Sequence, residues 1–203
     1  MMSAHELIVE SFSTIVKNST ISFISGSSGE GTTTAVVATA KALSNVYSAK
    51  VLVVDANFNH QSLNRLFNVS ESPGLKDIMA DPGISLDRII HRTNDGFDIV
   101  CGGWPKSLGF KSVNFNNFNV ILEHFKAQYD FVLIDMCPIN HFPILDTVIS
   151  LVDGVIMVLA CESTRWEVAQ NIKERLVSAD VKIRGVILSK RRFYIPQWLY
   201  QYI

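Results

Sequence analysis

Short runs of apolar and β-branched residues recur along the chain, and most of them are continuous rather than alternating with polar residues. Continuous apolar strands are typical of a parallel sheet that is covered by helices on both faces. The pattern therefore predicts buried strands at six places: Ile21–Ile24, Val51–Val54, Phe97–Val100, Phe131–Ile134, Val155–Leu159 and Ile183–Leu188.

Apolar residues recur at helical spacing between these runs, over Thr33–Leu43, Phe115–Phe125 and Trp166–Leu176. An alternation of strand and helix predicts an α/β fold with a doubly wound, mostly parallel sheet. Ligands of such sheets bind at the carboxyl ends of the strands. We therefore expect the functional residues directly after the first, second and fourth predicted strands.

The composition is that of one ordinary domain. The chain has 203 residues, of which 48% are hydrophobic and 18% are charged, and this is enough apolar material for one core. We expect a single domain over residues 1–203, with an N-terminal helix over 1–19 and an aromatic tail over 190–203. The net charge of −1 creates no field that would recruit nucleic acid, so no nucleic-acid partner is expected.

The sequence lacks the features of a secreted or membrane-spanning protein. Because its first residues are polar, we expect no signal peptide, and no stretch approaches the ~20 apolar residues that span a bilayer. The three cysteines, Cys101, Cys137 and Cys161, lack the spacing of a zinc site or a redox pair. We expect reduced thiols and a cytoplasmic location.

A glycine-rich segment follows the first strand and leads into a helical run. A P-loop has the pattern G-x-x-x-x-G-K-[ST], in which backbone N–H groups and a helix N-terminus hold phosphate. Gly26, Gly31 and Thr33 are in register with this pattern, and Thr32 stands where the lysine belongs. An ordinary turn that caps a helix is the alternative for the string taken alone. We predict that the nucleotide-binding residues are Gly26, Gly29, Glu30, Gly31, Thr32, Thr33 and Thr34.

Two further strands each end in a carboxylate. Asp55 ends the run Val51–Val54, and Asp135 ends the run Phe131–Ile134. Carboxylates at strand ends beside a P-loop hold Mg²⁺ directly or through water. A single such residue is often a turn or cap residue, but two at one edge favour a metal site. We predict that Thr33, Asp55 and Asp135 hold the metal.

The order of these motifs resembles the cytoplasmic kinase domain of the bacterial tyrosine autokinases of exopolysaccharide and capsule export. That family is related to the partition and cell-division ATPases. The resemblance implies a P-loop NTPase-like fold that binds ATP or ADP with Mg²⁺. The matching segments cover nearly the whole chain: Glu30–Thr34, Asp55–Asn57, Ser62–Phe67, Gly74–Asp77, Tyr129–Pro138, Asp146-Thr147 and Gly185–Leu188.

The chain departs from the family pattern where phosphate chemistry needs a positive charge. Thr32 replaces the P-loop lysine, and Ser27 stands at the position of the family's signature lysine. One lost charge-assisted hydrogen bond costs about 1.5–3 kcal/mol, or roughly tenfold to hundredfold in affinity. Asn57 replaces an aspartate that serves the family as base or metal ligand, and Ser189 replaces an adenine-contacting asparagine. We expect weak binding of nucleotide and Mg²⁺, which folding does not require.

The resemblance thus implies a pseudokinase-like or weakened nucleotide-binding regulator of exopolysaccharide biosynthesis. Its expected partner is an inner-membrane polysaccharide copolymerase, which would hold it at the inner face of the membrane. One alternative is an active tyrosine autokinase that uses Asp55 and Asp135 as catalytic residues. Another is a positioning ATPase of the cell-division type, although that class carries the missing signature lysine.

Both ends of the chain carry further expectations. Family autokinases end in a tyrosine-rich tail, which makes Tyr194, Tyr200 and Tyr202 possible phosphoacceptors. The alternatives are aromatic packing against the domain or a partner, and a short amphipathic anchor. Near the N-terminus, Ser13 and Val16 replace the two arginines of the family's ring-forming motif. We therefore expect a monomer or small oligomer rather than a closed ring.

Overall fold

The computed structural model describes residues 17–58, 60–69, 73–103, 115–139 and 148–191. In this part of the chain seven strands form one sheet with the order β3-β4-β2-β5-β1-β6-β7. Neighbouring strands are parallel except for the β3–β4 pair at one edge, which is antiparallel. The strands are β1 Ser19–Ser25, β2 Val51–Asp55, β3 Ile90–Arg92, β4 Asp98–Val100, β5 Phe131–Asp135, β6 Gly154–Ala160 and β7 Ile183–Ser189.

Helices connect the strands on both sides of the sheet. A short 3₁₀ helix, Leu86–Arg88, precedes β3. The α-helices are α1 Thr32–Tyr47, α2 Ser62–Leu66, α3 Leu75–Ala80, α4 Phe115–Gln128 and α5 Trp166–Ser178. The predicted doubly wound, mostly parallel α/β fold is confirmed.

Both faces of the central strands β1, β2, β5 and β6 are buried, which explains their continuous apolar runs. The predicted burial of the last run, Ile183–Leu188, is wrong, because β7 is an edge strand on which Val186 and Leu188 are 51% and 63% exposed. Along β2, Val51 and Val53 belong to a core that contains Val36 and Leu43 of α1. Leu52 and Val54 point to the opposite face, where α4 and α5 contribute Leu122, Phe125, Ile172 and Leu176 to the second core. Because successive side chains of a strand alternate between faces, a strand buried on both faces must be apolar throughout.

Parts of the two predicted terminal elements lie outside the described residues. Residues 1–16 of the predicted N-terminal helix are among them, and Ser19 already belongs to β1. Residues 192–203 of the predicted tail, including Tyr194, Tyr200 and Tyr202, are also outside the described ranges. The same holds for Ser13, Val16 and the Asp146-Thr147 pair.

Candidate functional site

The glycine-rich loop joins β1 to α1 in the conformation that its sequence predicts. Gly29 and Gly31 have φ angles of 81° and 90°, in the left-handed region that glycine adopts without strain. Gly31 is the residue before the first turn of α1, and its carbonyl accepts a hydrogen bond from the N–H of Ala35 at 2.9 Å. The loop therefore wraps the N-terminal end of α1.

Asp55 and Asp135 lie side by side at the same edge of the sheet. The two residues are register partners in the parallel β2–β5 pair, and both side chains are fully buried. Asp135 Oδ2 accepts a hydrogen bond from the Thr33 hydroxyl at 2.6 Å, and Asp55 Oδ1 accepts one from the N–H of Asn57 at 2.9 Å. The loop, Asp55 and Asp135 thus converge, as the strand-end motifs predict.

The burial of these carboxylates makes their negative charges unfavourable. Burial raises the pKa of Asp135 to about 6, and the hydrogen bond from Thr33 opposes the rise. Burial also raises the pKa of Asp55 well above its usual value, and the neighbouring Asp135 charge raises it further. Such a pair is stabilised by a proton or by a cation.

The donor set fits a hard divalent cation. Asp135 Oδ1 is buried and has no hydrogen-bond partner among the described residues, and the Thr33 hydroxyl lies against the other oxygen of the same carboxylate. Carboxylate and hydroxyl oxygens are ligands that Mg²⁺ takes beside a P-loop. No cluster of three or more His, Cys, Asp or Glu residues that could hold a metal occurs among the described residues. Phosphate oxygens and water would have to complete the coordination.

A cavity of about 480 Å³ lies in front of the loop. Gly29, Gly31, Thr32, Thr33 and Thr34 line it from the loop side. The other walls are formed by the segments that follow β2, β5 and β7, through Asn57, His60, Ser62, Arg65, Met136, Pro138 and Lys190.

Arg65 and Lys190 are site residues that the sequence analysis missed. Arg65 lies within the Ser62–Phe67 segment that resembles the family, and Lys190 is the first residue of the predicted aromatic tail over 190–203. Their positions in the chain could have indicated them, because Arg65 lies in α2, which follows the end of β2, and Lys190 follows the end of β7. Both ends lie at the functional edge of a parallel sheet.

Glu30 faces away from this cavity and braces the loop. Its carboxylate accepts hydrogen bonds from the N–H of Gly26 at 2.9 Å and from the hydroxyl of Thr164 at 2.6 Å. Its carbonyl accepts one from the hydroxyl of Ser189 at the end of β7. The Glu30 side chain therefore fixes the loop to the β6–α5 connection, and only its backbone remains for a phosphate contact.

Asn57 lines the cavity but is itself part of a turn. Its side-chain oxygen accepts a hydrogen bond from the N–H of His60 at 3.2 Å. An amide accepts no proton at neutral pH, so Asn57 cannot act as a general base. His60 is an exposed residue on the cavity wall. Asn59 lies outside the described residues.

Sequence comparison identifies the family. A sequence model described as "AAA domain" matches residues 18–182. This chain belongs to the AAA domain family. Among curated AAA-domain relatives, the putative tyrosine-protein kinase EpsB of Ralstonia nicotianae is 33% identical over 145 residues, which are 69% of this chain. The tyrosine-protein kinase etk of Escherichia coli is 26% identical over 182 residues, or 88% of the chain. The matches cover 19% and 24% of the two relatives, so the chain corresponds to a part of each.

Solved structures of two kinase domains and of MinD share the fold. The VpsO kinase domain superposes with a TM-score of 0.81 at 22% identity, covering 93% of this chain and 95% of that structure. The kinase domain of Escherichia coli ETK also gives 0.81, at 19% identity and 96% and 80% coverage. MinD of Pyrococcus horikoshii, solved with Mg-ADP, gives 0.70 at 24% identity and 90% and 76% coverage. The resemblance to bacterial tyrosine kinases and cell-division ATPases is confirmed.

Each helix in the described ranges is too short or too polar to cross a membrane.

Proposed function

We propose that the chain is a weakened nucleotide-binding regulator, related to tyrosine kinases, that has lost most or all kinase activity. One observation carries the proposal: the loop and both strand-end carboxylates keep a phosphate-site geometry, while Thr32 occupies the lysine position on the cavity wall. A phosphate-binding loop that keeps its shape but lacks the lysine supports nucleotide binding more than it supports phosphoryl transfer.

The residues of the site divide into two groups with different tasks. The backbone N–H groups of the loop and the N-terminal end of α1 would hold phosphate oxygens. Thr33, Asp135 and Asp55 would hold Mg²⁺, which when bound neutralises phosphate charge and the buried carboxylates. The chain itself supplies orientation by fixing the loop through Glu30.

Transfer of a phosphoryl group depends on charge that this loop does not carry. Catalysis of this reaction is mainly positioning and electrostatic stabilisation of charge that develops in the transition state. Thr32 adds a neutral hydroxyl where a lysine would place a full positive charge, and Asn57 adds an amide where the family has a carboxylate. Both changes act on the chemical step more strongly than on binding.

The relatives indicate the cellular context. One is described as a putative tyrosine-protein kinase in a cps region of Klebsiella pneumoniae, and another as the putative kinase CapB of Staphylococcus aureus. A structural relative is the chimerical protein CapA2B2. These support a role in capsule or exopolysaccharide export. We propose that the chain acts in the cytoplasm, at the inner face of the membrane, as the partner of a polysaccharide copolymerase.

An autophosphorylation assay tests the loss of activity. Purified protein is incubated with ATP and Mg²⁺, and phosphotyrosine at Tyr194, Tyr200 and Tyr202 is quantified by mass spectrometry. We expect negligible phosphotyrosine. The contrary result is robust phosphotyrosine formation that Asp135→Ala abolishes. If the exposed-site control Asp87→Ala retains that modification, the protein is an active autokinase instead.

A further inference from the structure

We infer that Arg65 and Lys190 supply the positive charge that the loop lacks, and that together they bind the phosphate chain of a polyphosphate ligand. The inference rests on the proposed function and adds to it the residues that recognise the ligand. Both side chains line the same cavity of about 480 Å³ as the loop residues Thr32 and Thr33.

The charge of the cavity wall supports an anionic ligand. Arg65 and Lys190 are exposed, and no Asp or Glu is among the described residues that line the cavity. The nearby carboxylates, Asp55 and Asp135, are fully buried beneath the wall. Cations on the wall and buried carboxyl groups below it would suit a phosphate chain with Mg²⁺, which Asp135 and Asp55 would help to hold.

Local packing holds Arg65 beside the site. The helix α2 starts seven residues after Asp55, and Leu63 in its first turn is fully buried. The N–H of Leu63 points to Asp55 Oδ2 at 3.5 Å. Leu63 thus anchors one side of α2 in the core, while Arg65 lies on the exposed side and lines the cavity. The arginine fork binds two phosphate oxygens at once.

Lys190 is held from the opposite side of the loop. It follows β7 directly and has a φ of 54°. The preceding residue, Ser189, donates a hydrogen bond from its hydroxyl to the Glu30 carbonyl and accepts one from the N–H of Cys161 at 2.9 Å. These bonds tie the end of β7 to the loop, so the position of Lys190 is set by the same brace that shapes the phosphate cradle.

The spacing of the two cations favours more than one phosphate. In the strand order β2-β5-β1-β6-β7, the loop follows β1, while Arg65 and Lys190 come from the segments after β2 and β7. Four strand spacings of about 4.8 Å put these strands roughly 19 Å apart. Arg65 and Lys190 therefore line the cavity from opposite sides of the loop. A ligand that contacts both is a di- or triphosphate rather than a single phosphate ion.

Calorimetric titration tests the inference with three probes in the presence of Mg²⁺: ATP, inorganic tripolyphosphate and orthophosphate. The test variants are Arg65→Gln and Lys190→Gln, singly and combined. The matched controls are Arg88→Gln and Lys173→Gln, two exposed cations elsewhere on the domain. Thermal melting checks the fold of each variant, and exposed substitutions of this kind are expected to leave it unchanged.

We expect each test variant to weaken ATP and tripolyphosphate binding roughly five- to tenfold. The double variant should weaken it further, the controls should match the wild type, and orthophosphate should bind much more weakly than either polyphosphate. If ATP binds and neither Arg65→Gln nor Lys190→Gln changes its affinity, the inference is overturned and the proposed function is retained. Arg65-dependent binding of tripolyphosphate without any binding of ATP supports the inference and overturns the nucleotide role. If neither ATP nor tripolyphosphate binds, both the inference and the proposed function are overturned.

Discussion

At the scale of single residues, the buried carboxylate pair carries an electrostatic cost. Asp55 and Asp135 are adjacent across two central strands and have no exposed surface. Removing charged groups from water is costly unless a partner compensates. The protein therefore carries a local destabilisation at neutral pH that a bound cation would relieve. This is typical of functional sites, which keep unfavourable groups that a merely structural role would eliminate.

Asp135→Asn should stabilise the metal-free protein at pH 8. Burial raises the pKa of Asp135 to about 6, so between pH 4 and 6 the folded state holds a proton that the unfolded state has released. The contribution of Asp135 to the free energy of unfolding therefore falls as the pH rises through this window. The rise of the Asp135 pKa from its ordinary value of 3.8 to about 6 corresponds to roughly 2–3 kcal/mol. The gain should be full above about pH 6 and vanish near pH 4.

Chemical denaturation in chelator-containing buffers at several pH values measures this effect. The amide retains an acceptor for the Thr33 hydroxyl, so the packing of the site is preserved. Asp87→Asn, in the exposed 3₁₀ helix, is the control and should show no comparable pH-dependent gain. A variant that is less stable than the wild type at pH 8 would contradict the account.

At the scale of elements, the loop is fixed by contacts with β6, β7 and α5. Glu30 bonds to Thr164, which lies 134 residues away in sequence, and the Thr164 hydroxyl accepts a hydrogen bond from the N–H of Ala160 at 2.9 Å. Gly26 packs directly against α5. The phosphate cradle is therefore a product of tertiary contacts as well as of its own glycines.

Gly26→Ala should destabilise the protein by about 1–3 kcal/mol, because the added methyl group overpacks this contact. The new Cβ would lie 2.5 Å from Val168 Cγ1 and 3.3 Å from Ile172 Cδ1 of α5. Thermal denaturation measures the loss. The double variant Gly26→Ala/Val168→Ala should recover part of it, as a double-mutant cycle would show. Gly185→Ala is the matched control, because its Cβ would meet nothing within 4 Å. A Gly26→Ala protein as stable as the wild type would refute the contact.

The sequence predicts the long elements well and the short ones poorly. All six apolar runs are strands, and the carboxylates at the ends of two of them lie where the parallel topology requires. The edge strand Ile90-His91-Arg92 has too few residues and too much polarity to show a strand pattern. The helices α2 and α3 are shorter than two helical turns, so they show no periodicity.

The missed parts of the site depend on contacts that no local pattern carries. The orientation of the Glu30 side chain is set by Thr164 and Gly26, and the cavity position of Lys190 follows from where β7 ends. Sequence motifs locate the loop and the strand ends because backbone conformation and topology determine them. They do not locate side chains that approach from distant segments.

At the scale of the whole molecule, our prediction of the oligomeric state rests on two residues outside the described ranges. Ser13 and Val16 lack the planar, charged fork by which arginine pairs with carboxylates across an interface. We predict a monomer or small oligomer in isolation. Multi-angle light scattering at micromolar concentration measures the mass, and restoring both arginines with Ser13→Arg/Val16→Arg should increase it. A stable ring-sized species of the wild-type protein without any partner would contradict this prediction.

The central claim is that the loop keeps its phosphate-binding shape but lacks the lysine. Calorimetric titration of ATP with Mg²⁺ into the wild type and Thr32→Lys tests it most directly. Thr32 lines the cavity at the start of α1, so a lysine there restores the missing charge in place. Asn119→Lys, on the exposed side of α4, is the control for added net charge. We expect weak binding by the wild type and by the control, and affinity at least about tenfold higher for Thr32→Lys. Equal affinity of all three proteins would show that the loop is not a phosphate cradle.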